Sequence, residues 1–403
     1  MQKSAAAAPA DAAVIKTATF SILVALSFSH FLNDLIQSLL PAIYPIIKEA
    51  YRLDFGQIGL ITFTFQMTAS LFQPLVGAYT DKHPQPFSLV AGMASTLVGL
   101  LVLAQAGSFP MLILGAALVG TGSSIFHPEA TRMASVAAGG RHGLAQSLFQ
   151  FGGQGGAAAG PLVAAWIVVP NGQASLAWFS VLAMIAIFVM IRVGCWYRGQ
   201  LARIGARIEK ARTGLERPPA AVIIPITLLV LVMFSKNIYQ SSLHTFYIFY
   251  LIERFGVTLQ HAQMLLFVFL ISAPLGLMVG GPIGDRIGRR RMILLSVAGS
   301  APFALMLPFA NLFWTPILTF LIGFVLSSAF ASILVYAIQL LPGRVGMIGG
   351  LFYGLTFGLG AIGAALLGEI ADLTSIVTVY QICAVLPLVG LLALWLPEVE
   401  DTR

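Results

Sequence analysis

Charge is what this 403-residue chain has least of. Only 9% of its residues are Asp, Glu, Lys or Arg, against 58% hydrophobic and a mean hydropathy of +0.91. A water-facing surface needs far more charge, which excludes a soluble globule and makes the bilayer the solvent. Cysteine is nearly absent: Cys195 and Cys383 lie in or beside apolar segments, so neither a disulfide framework nor a metal cluster is indicated. The His-Glu-x-x-His, Gly-x-Ser-x-Gly and P-loop patterns are missing too, which argues against an integral membrane enzyme acting on lipid-linked substrates. No basic run interleaves with exposed aromatics, so nucleic acid is not the partner of this chain despite its formal net charge of +7. No cofactor is expected.

What the chain does have is apolar length. A bilayer-crossing helix needs about 20 apolar residues. Polar or Gly/Pro-rich breaks divide the sequence into twelve such segments, near 18–47, 56–79, 87–105, 111–138, 143–169, 176–197, 222–252, 262–284, 291–310, 315–341, 346–370 and 375–397. The expected fold is therefore all-α and integral to the membrane, with twelve transmembrane helices. Segments 1, 4 and 7 run near thirty residues, which implies tilt, kinks or ends outside the hydrocarbon. The polar, Ala-rich start reads as a tail over 1–16, and the apolar stretch after it is too long for a cleaved signal peptide.

Orientation follows from Lys and Arg. Lys48, Arg52 and Arg254 fall in odd-to-even loops, Arg132 and Lys236 lie within segments, and the rest belong to the side carrying both termini, which is then cytoplasmic. Residues 198–221 hold Arg198, Arg203, Arg207, Lys210, Arg212 and Arg217 against Glu209 and Glu216, a basic linker that would anchor to lipid headgroups. It separates a six-helix half at 17–197 from another at 222–397, with a short tail at 398–403.

Two internal matches indicate duplication. Gly77-Ala-Tyr-Thr-Asp81-Lys82 and Gly281-Pro-Ile-Gly-Asp285-Arg286-Ile-Gly288-Arg289-Arg290 place their aspartates 204 residues apart, each where one apolar segment ends and the next begins. Arg141-His-Gly143 through Phe149 aligns with Arg344-Val-Gly346 through Phe352 at an offset of 203. Parallel repeats with a substrate at their interface, near the membrane midplane, follow. A duplicated chain of this kind can work as a monomer.

The Gly-x-x-x-Asp-base loop, occurring twice, resembles the recurring inter-helix loop of the major facilitator superfamily. The resemblance implies two pseudo-symmetric six-helix halves, with Gly77, Asp81, Lys82, Gly281, Asp285, Arg286 and Arg289 forming gating charge networks; topology marking is the plainer alternative. The first copy departs from the pattern at His83-Pro84-Gln85-Pro86, so equal gating by both loops is not expected. In the fifth segment, Gly156, Gly160 and Pro161 are similar to a motif of exporters that exchange protons for drugs, although Ala164 and Ala165 replace a Gly pair and Ser147 an earlier Gly. The resemblance implies export; close helix packing is the alternative.

Ionisable residues inside apolar helices cost about 2.5–3.5 kcal/mol on insertion scales and usually face a cavity or a partner. His30, Asn33, Asp34 and Gln37 form one stripe at i, i+3, i+4 and i+7. A gradient-driven cycle needs a group that gains and loses a proton, and burial favours the neutral carboxyl. Asp34 is the candidate carrier, against a permanently paired structural carboxylate; His30 shares its proton or is a hydrogen-bonded core histidine. In the fourth segment, Glu129 and Arg132 pair at i, i+3 beside Pro128, either as a coupling device or as a static ion pair. His127 precedes them, and no second His or Cys at ligand spacing suggests a metal.

The Phe126-His127-Pro128-Glu129-Ala130 run, the Asp81-to-Pro86 loop and the His30-to-Asp34 stripe together resemble the fosmidomycin-resistance branch of that superfamily. This implies proton-driven efflux of a small phosphonate antibiotic. The rival on the same fold is a proton-coupled importer of an organic anion. An anionic ligand needs a cation, and Lys236 begins a polar run in the seventh segment, where Lys236, Gln240, His244 and Tyr247 share a face and Asn237 matches Asn33 at the 204 offset. Lys236 would bind the anion or neutralise Asp34 across the halves. Gln146, Gln150 and Gln154 recur at i, i+4 and i+8 in the fifth segment, lining the pathway or bonding helices together.

Overall fold

The structure, a computed structural model, describes residues 19–139, 142–204, 220–340 and 345–398. The tail at 1–16, the centre of the linker, Arg141, Arg344 and the last five residues lie outside the described residues. So do the side chains of Asp81, Lys82, Gln146 and Asp285 and the surroundings of Gly281.

All regular structure among the described residues is helical, and nine helices there are long and apolar enough to cross a membrane. Three further crossings complete the twelve. Span 2 (Phe55–Lys82) has its hydropathy diluted by Gln57, Thr62, Thr64, Gln66, Thr68, Ser70 and Gln73; span 10 is split into Trp314–Ser328 and Phe330–Leu340; span 11 is Val345–Leu373.

Several segments read as single helices are interrupted, and the breaks cluster at residues that cannot donate a backbone hydrogen or that compete for one. Span 1 runs Phe20–Ala42, pauses at Ile43 between Pro41 and Pro45, and resumes as Tyr44–Tyr51. Span 9 comprises Arg289–Val297 and Ala301–Met306, joined through a 3-10 turn at Ala298–Ser300. Span 12 changes from Ile376–Cys383 to a 3-10 stretch, Leu386–Trp395, beside Pro387. Span 5 (His142–Val163) passes through Pro161 and then widens into a π-helical turn, Ala164–Val168, one way to accommodate a missing hydrogen bond. Span 4 (Phe109–Ala137) stays unbroken through Pro128, and span 7 (Ala220–Phe255) reaches 36 residues. Span 6 (Ser180–Ile204) continues past Arg198 into the stretch expected as linker.

Spans 3 (Ser88–Gln105) and 8 (Leu259–Ile287) complete the set. Span 1 packs along span 5, span 4 against spans 2 and 3, span 8 against span 10, and span 7 against spans 11 and 12. Across the halves span 2 meets span 11 and span 5 meets span 8, two pairings related by the pseudo-symmetry. The span 1–5 seam explains the small residues of span 5. A Cβ on Gly152, Gly156 or Gly160 would collide with Ser27 O, Phe31 O or Ser38 Oγ.

The two motif loops differ for a conformational reason. Gly288 alone separates spans 8 and 9 and has φ +91°, a region that favours glycine. The matching position in the first copy is Pro84, whose ring fixes φ near −65°. Spans 2 and 3 are accordingly joined by a longer connection through His83 to Phe87.

Candidate functional site

The polar stripe of span 1 faces the protein interior, with His30 and Asn33 buried and the Asp34 side chain 19% exposed. His30 Nδ1 lies 2.8 Å from the carbonyl oxygen of Phe149 on span 5, and its ring stacks on the Phe149 ring at 4.0 Å between centroids. A carbonyl only accepts, so Nδ1 carries a hydrogen. Nε2 then faces Asp34 Oδ2 at 3.2 Å, while Asn33 Nδ2 donates to Asp34 Oδ1 at 2.9 Å. A bare nitrogen lone pair and a carboxylate oxygen repel each other. A proton on either group, as imidazolium–carboxylate or as imidazole–carboxylic acid, makes the contact favourable, and the 3.2 Å approach is an ion-pair distance without hydrogen-bond alignment.

His127 of span 4 presents its ring edge to His30 at 5.1 Å, and the ligand atoms of His30, Asp34 and His127 lie within 4.8 Å of one another. Two imidazoles and a carboxylate are also a donor set found around metals. Spacing along the chain could not reveal this convergence, because the residues come from two spans. Asn33 Oδ1 and Gln37 Nε2, on the same stripe, are buried without a hydrogen-bond partner among the described residues.

Glu129 belongs to a different cluster. It is fully buried; Thr80 of span 2 donates to Oε1 at 2.6 Å, Ser88 of span 3 donates to Oε2 at 3.1 Å, and Arg132 NH1 lies 3.2 Å from Oε1. Arg132 NH2 also donates to the carbonyl of Gly77 at 3.3 Å. Both carboxylate oxygens are thus occupied by partners from spans 2, 3 and 4, an arrangement that fits a static tie beneath the first motif loop better than a carboxylate that releases its arginine.

Lys236 of span 7 is 6% exposed and has no ion pair or hydrogen bond among the described residues. Asp34 instead pairs with His30 and Asn33, so the cross-half neutralisation of Asp34 by Lys236 is not what the structure holds. Beside Lys236, Asn237 Nδ2 is buried and unpartnered. Gln240 Nε2 lies 3.4 Å from His244 Nε2, His244 packs edge-on against Phe269 of span 8, and the Tyr247 hydroxyl is 3.1 Å from Thr319 Oγ1 of span 10. Gln150 and Gln154 are half-buried on span 5, flanking Gly153.

Gln66 and Gln73 are among the polar residues that the sequence reading passed over. Tyr239 OH, Gln66 Oε1 and Gln73 Nε2 are buried without partners among the described residues. Gln66 stands 2.8 Å from where a Cβ on Gly360 would be, at the junction of spans 2 and 11, and Ser241 of span 7 donates to the Gly360 carbonyl at 2.8 Å. The signal was available, because Gln66, Ser70 and Gln73 follow spacings of four and three on one helical face.

Twelve helices in two pseudo-symmetric halves, with polar groups converging inside, define a membrane transporter rather than an enzyme. The chain belongs to the Major Facilitator Superfamily, which it matches over residues 26–250 and 226–403. Within that superfamily it is a fosmidomycin-resistance-like transporter: it is 52% identical over 392 residues to the Fosmidomycin resistance protein of Escherichia coli (strain K12), covering 97% of this chain and 96% of that one. It is also 39% identical over 393 residues to the uncharacterized MFS-type transporter YfnC of Bacillus subtilis (strain 168), covering 96% and 95%. The solved nucleoside transporter NupG superposes with a TM-score of 0.72 at 15% identity over 93% of this chain and 99% of that one. A bacterial homolog of the lysosomal transporter Spinster gives 0.70 at 13% identity over 94% of each. At such identities these two structures speak for the fold alone. The chain is therefore a multi-pass membrane transporter of a small-molecule substrate.

Proposed function

We propose that the protein exports a small anionic drug such as fosmidomycin in exchange for protons, by alternating access across the bacterial inner membrane. It acts as a monomer in the lipid bilayer with both termini cytoplasmic, and its halves span 17–197 and 222–397 on either side of the basic linker. The likeness to the Fosmidomycin resistance protein supports the substrate. The His30–Asp34 contact carries the coupling, since it is a pair that needs one proton and stands partly open to the interior.

In this reading an external proton loads the pair, the transporter turns inward, and release of the proton accompanies drug binding. His127 senses the charge of the pair from span 4. Lys236, a buried cation with no ion pair among the described residues, holds the phosphonate, and Asn237 beside it and Gln37 of span 1, both with an unpartnered amide nitrogen there, supply donors. Asn33, Gln240, His244 and Tyr247 shape the same wall, while Gln150 and Gln154 line the way to the cytoplasm. Glu129 and Arg132 brace the first motif loop. The glycines at 156 and 160 allow span 5 to seal against span 1, so the exporter-like motif acts here through close packing. One pH unit supplies about 1.4 kcal/mol per proton and 100 mV about 2.3 kcal/mol per charge, enough to sustain a useful gradient.

The test is fosmidomycin movement in liposomes under an imposed pH gradient. Movement opposite to the proton flow supports export, movement with it supports the importer, and no movement by folded protein removes the drug assignment.

A further inference from the structure

We infer that Asp372 is a positioning residue that holds the pathway shut on the face away from the termini, by capping the second span from the opposite half. Span 2 starts with a capping box. Asp54 accepts from Gln57 N at 2.6 Å, and the Gln57 side chain accepts from Asp54 N at 3.1 Å. That leaves the N–H groups of Phe55 and Gly56, the first two helical residues, without a partner from their own helix. Asp372, at the end of span 11, takes both: Oδ1 accepts from Phe55 N at 2.8 Å and Oδ2 from Gly56 N at 2.5 Å. A carboxylate on two N-terminal amides is favoured by the charge-assisted bonds and by the helix dipole together.

The surrounding chain is shaped for this contact. A Cβ on Gly56 would lie 2.5 Å from Glu369 Oε1 and 3.3 Å from Asp372 Oδ2, one on Gly59 would lie 2.5 Å from the Ala364 carbonyl oxygen, and one on Gly368 would collide with the Phe55 carbonyl oxygen. Spans 2 and 11 therefore touch backbone to backbone at this end. The contact loosens along their length, because a Cβ on Gly358 would meet Ser70 Oγ only at 3.8 Å, and those on Gly77 and Gly354 would meet nothing within 4 Å among the described residues. Lys48 anchors the other side of the joint, donating to Leu53 O at 2.5 Å with Nζ 4.1 Å from the centroid of the Phe55 ring.

Spans 2 and 11 lie in different halves, so any rocking that opens this face must break both bonds to Asp372. Closing it restores the cap. The carboxylate thereby biases the equilibrium between the two faces without touching the substrate. This inference rests on the fold and the family, and stands or falls independently of the drug and of the proton carrier.

The test is the distance between spin labels at Arg52→Cys and Leu373→Cys in full-length protein carrying Cys195→Ser and Cys383→Ala, reconstituted in nanodiscs. With Asp372 intact a short separation dominates. Asp372→Asn, which loses the charge and one acceptor oxygen, is expected to raise the ratio of long to short separations about tenfold, the worth of one charged hydrogen bond. Asp372→Glu is expected to restore the short separation. Asp54→Ala, which damages the cap within span 2 but spares the bonds across the halves, is expected to retain it. An unchanged distribution in Asp372→Asn overturns the inference, as does equal opening in Asp54→Ala, which would mark mere fraying of the helix start.

Discussion

Gly153 of span 5 lies directly against Asp34 of span 1: a Cβ on Gly153 would sit 2.8 Å from Asp34 Oδ2 and would collide with the His30 ring. The space in which the proposed carrier pair sits is thus set by a missing side chain on a neighbouring helix. Gly153→Ala should push His30 and Asp34 apart and lower gradient-driven transport by about tenfold or more, a barrier change of about 1.4 kcal/mol. Gly155→Ala is the control, since its Cβ would meet Phe31 at an ordinary 3.6 Å. Transport rates of the two variants at matched folded amounts check this.

Glu129 makes the opposite prediction. Glu129→Gln keeps an oxygen and an amide for Thr80, Ser88 and Arg132, so the account expects proton-driven transport to continue. Glu129→Ala leaves an arginine and two hydroxyls facing a cavity and should cost roughly 2–4 kcal/mol of stability. A fall in the detergent melting temperature of the alanine variant, with coupling intact in the glutamine variant, is the expected pattern. Lost coupling in stable Glu129→Gln would return that residue to the list of proton carriers.

Lys236 should act on the substrate. Lys236→Gln is expected to raise KM for an anionic drug by about tenfold or more, the worth of a charged hydrogen bond, with a smaller effect on the maximal rate. Combining it with Asp34→Asn separates the two roles considered for this lysine. Restored transport in the double variant would mean that Lys236 serves to balance Asp34, whereas the account expects no rescue.

Much of the fold was legible in the sequence because apolar length is a local signal. Twelve segments could be read from it, and the duplication from two matched motifs. The breaks in spans 1, 9, 10 and 12 were not, since whether a proline or serine interrupts a helix depends on the neighbours that satisfy the freed carbonyl; Pro128 leaves span 4 intact while Pro41 and Pro45 flank a break. The His30-Asn33-Asp34 stripe was visible from helical spacing. Its meeting with His127 and Phe149, and the filling of both Glu129 oxygens by Thr80 and Ser88, were not, because those partners come from other spans. Gln66 and Gln73 had the spacing of a stripe but no charge to draw attention to it.

The central claim is that the His30–Asp34 pair couples protons to substrate without being needed to hold the substrate. It is tested most directly by comparing two fluxes in liposomes containing Asp34→Asn: exchange of labelled for unlabelled fosmidomycin with no gradient, and accumulation driven by a pH difference. Exchange is expected to persist and driven accumulation to be lost. Uphill accumulation at the wild-type level in Asp34→Asn would contradict it.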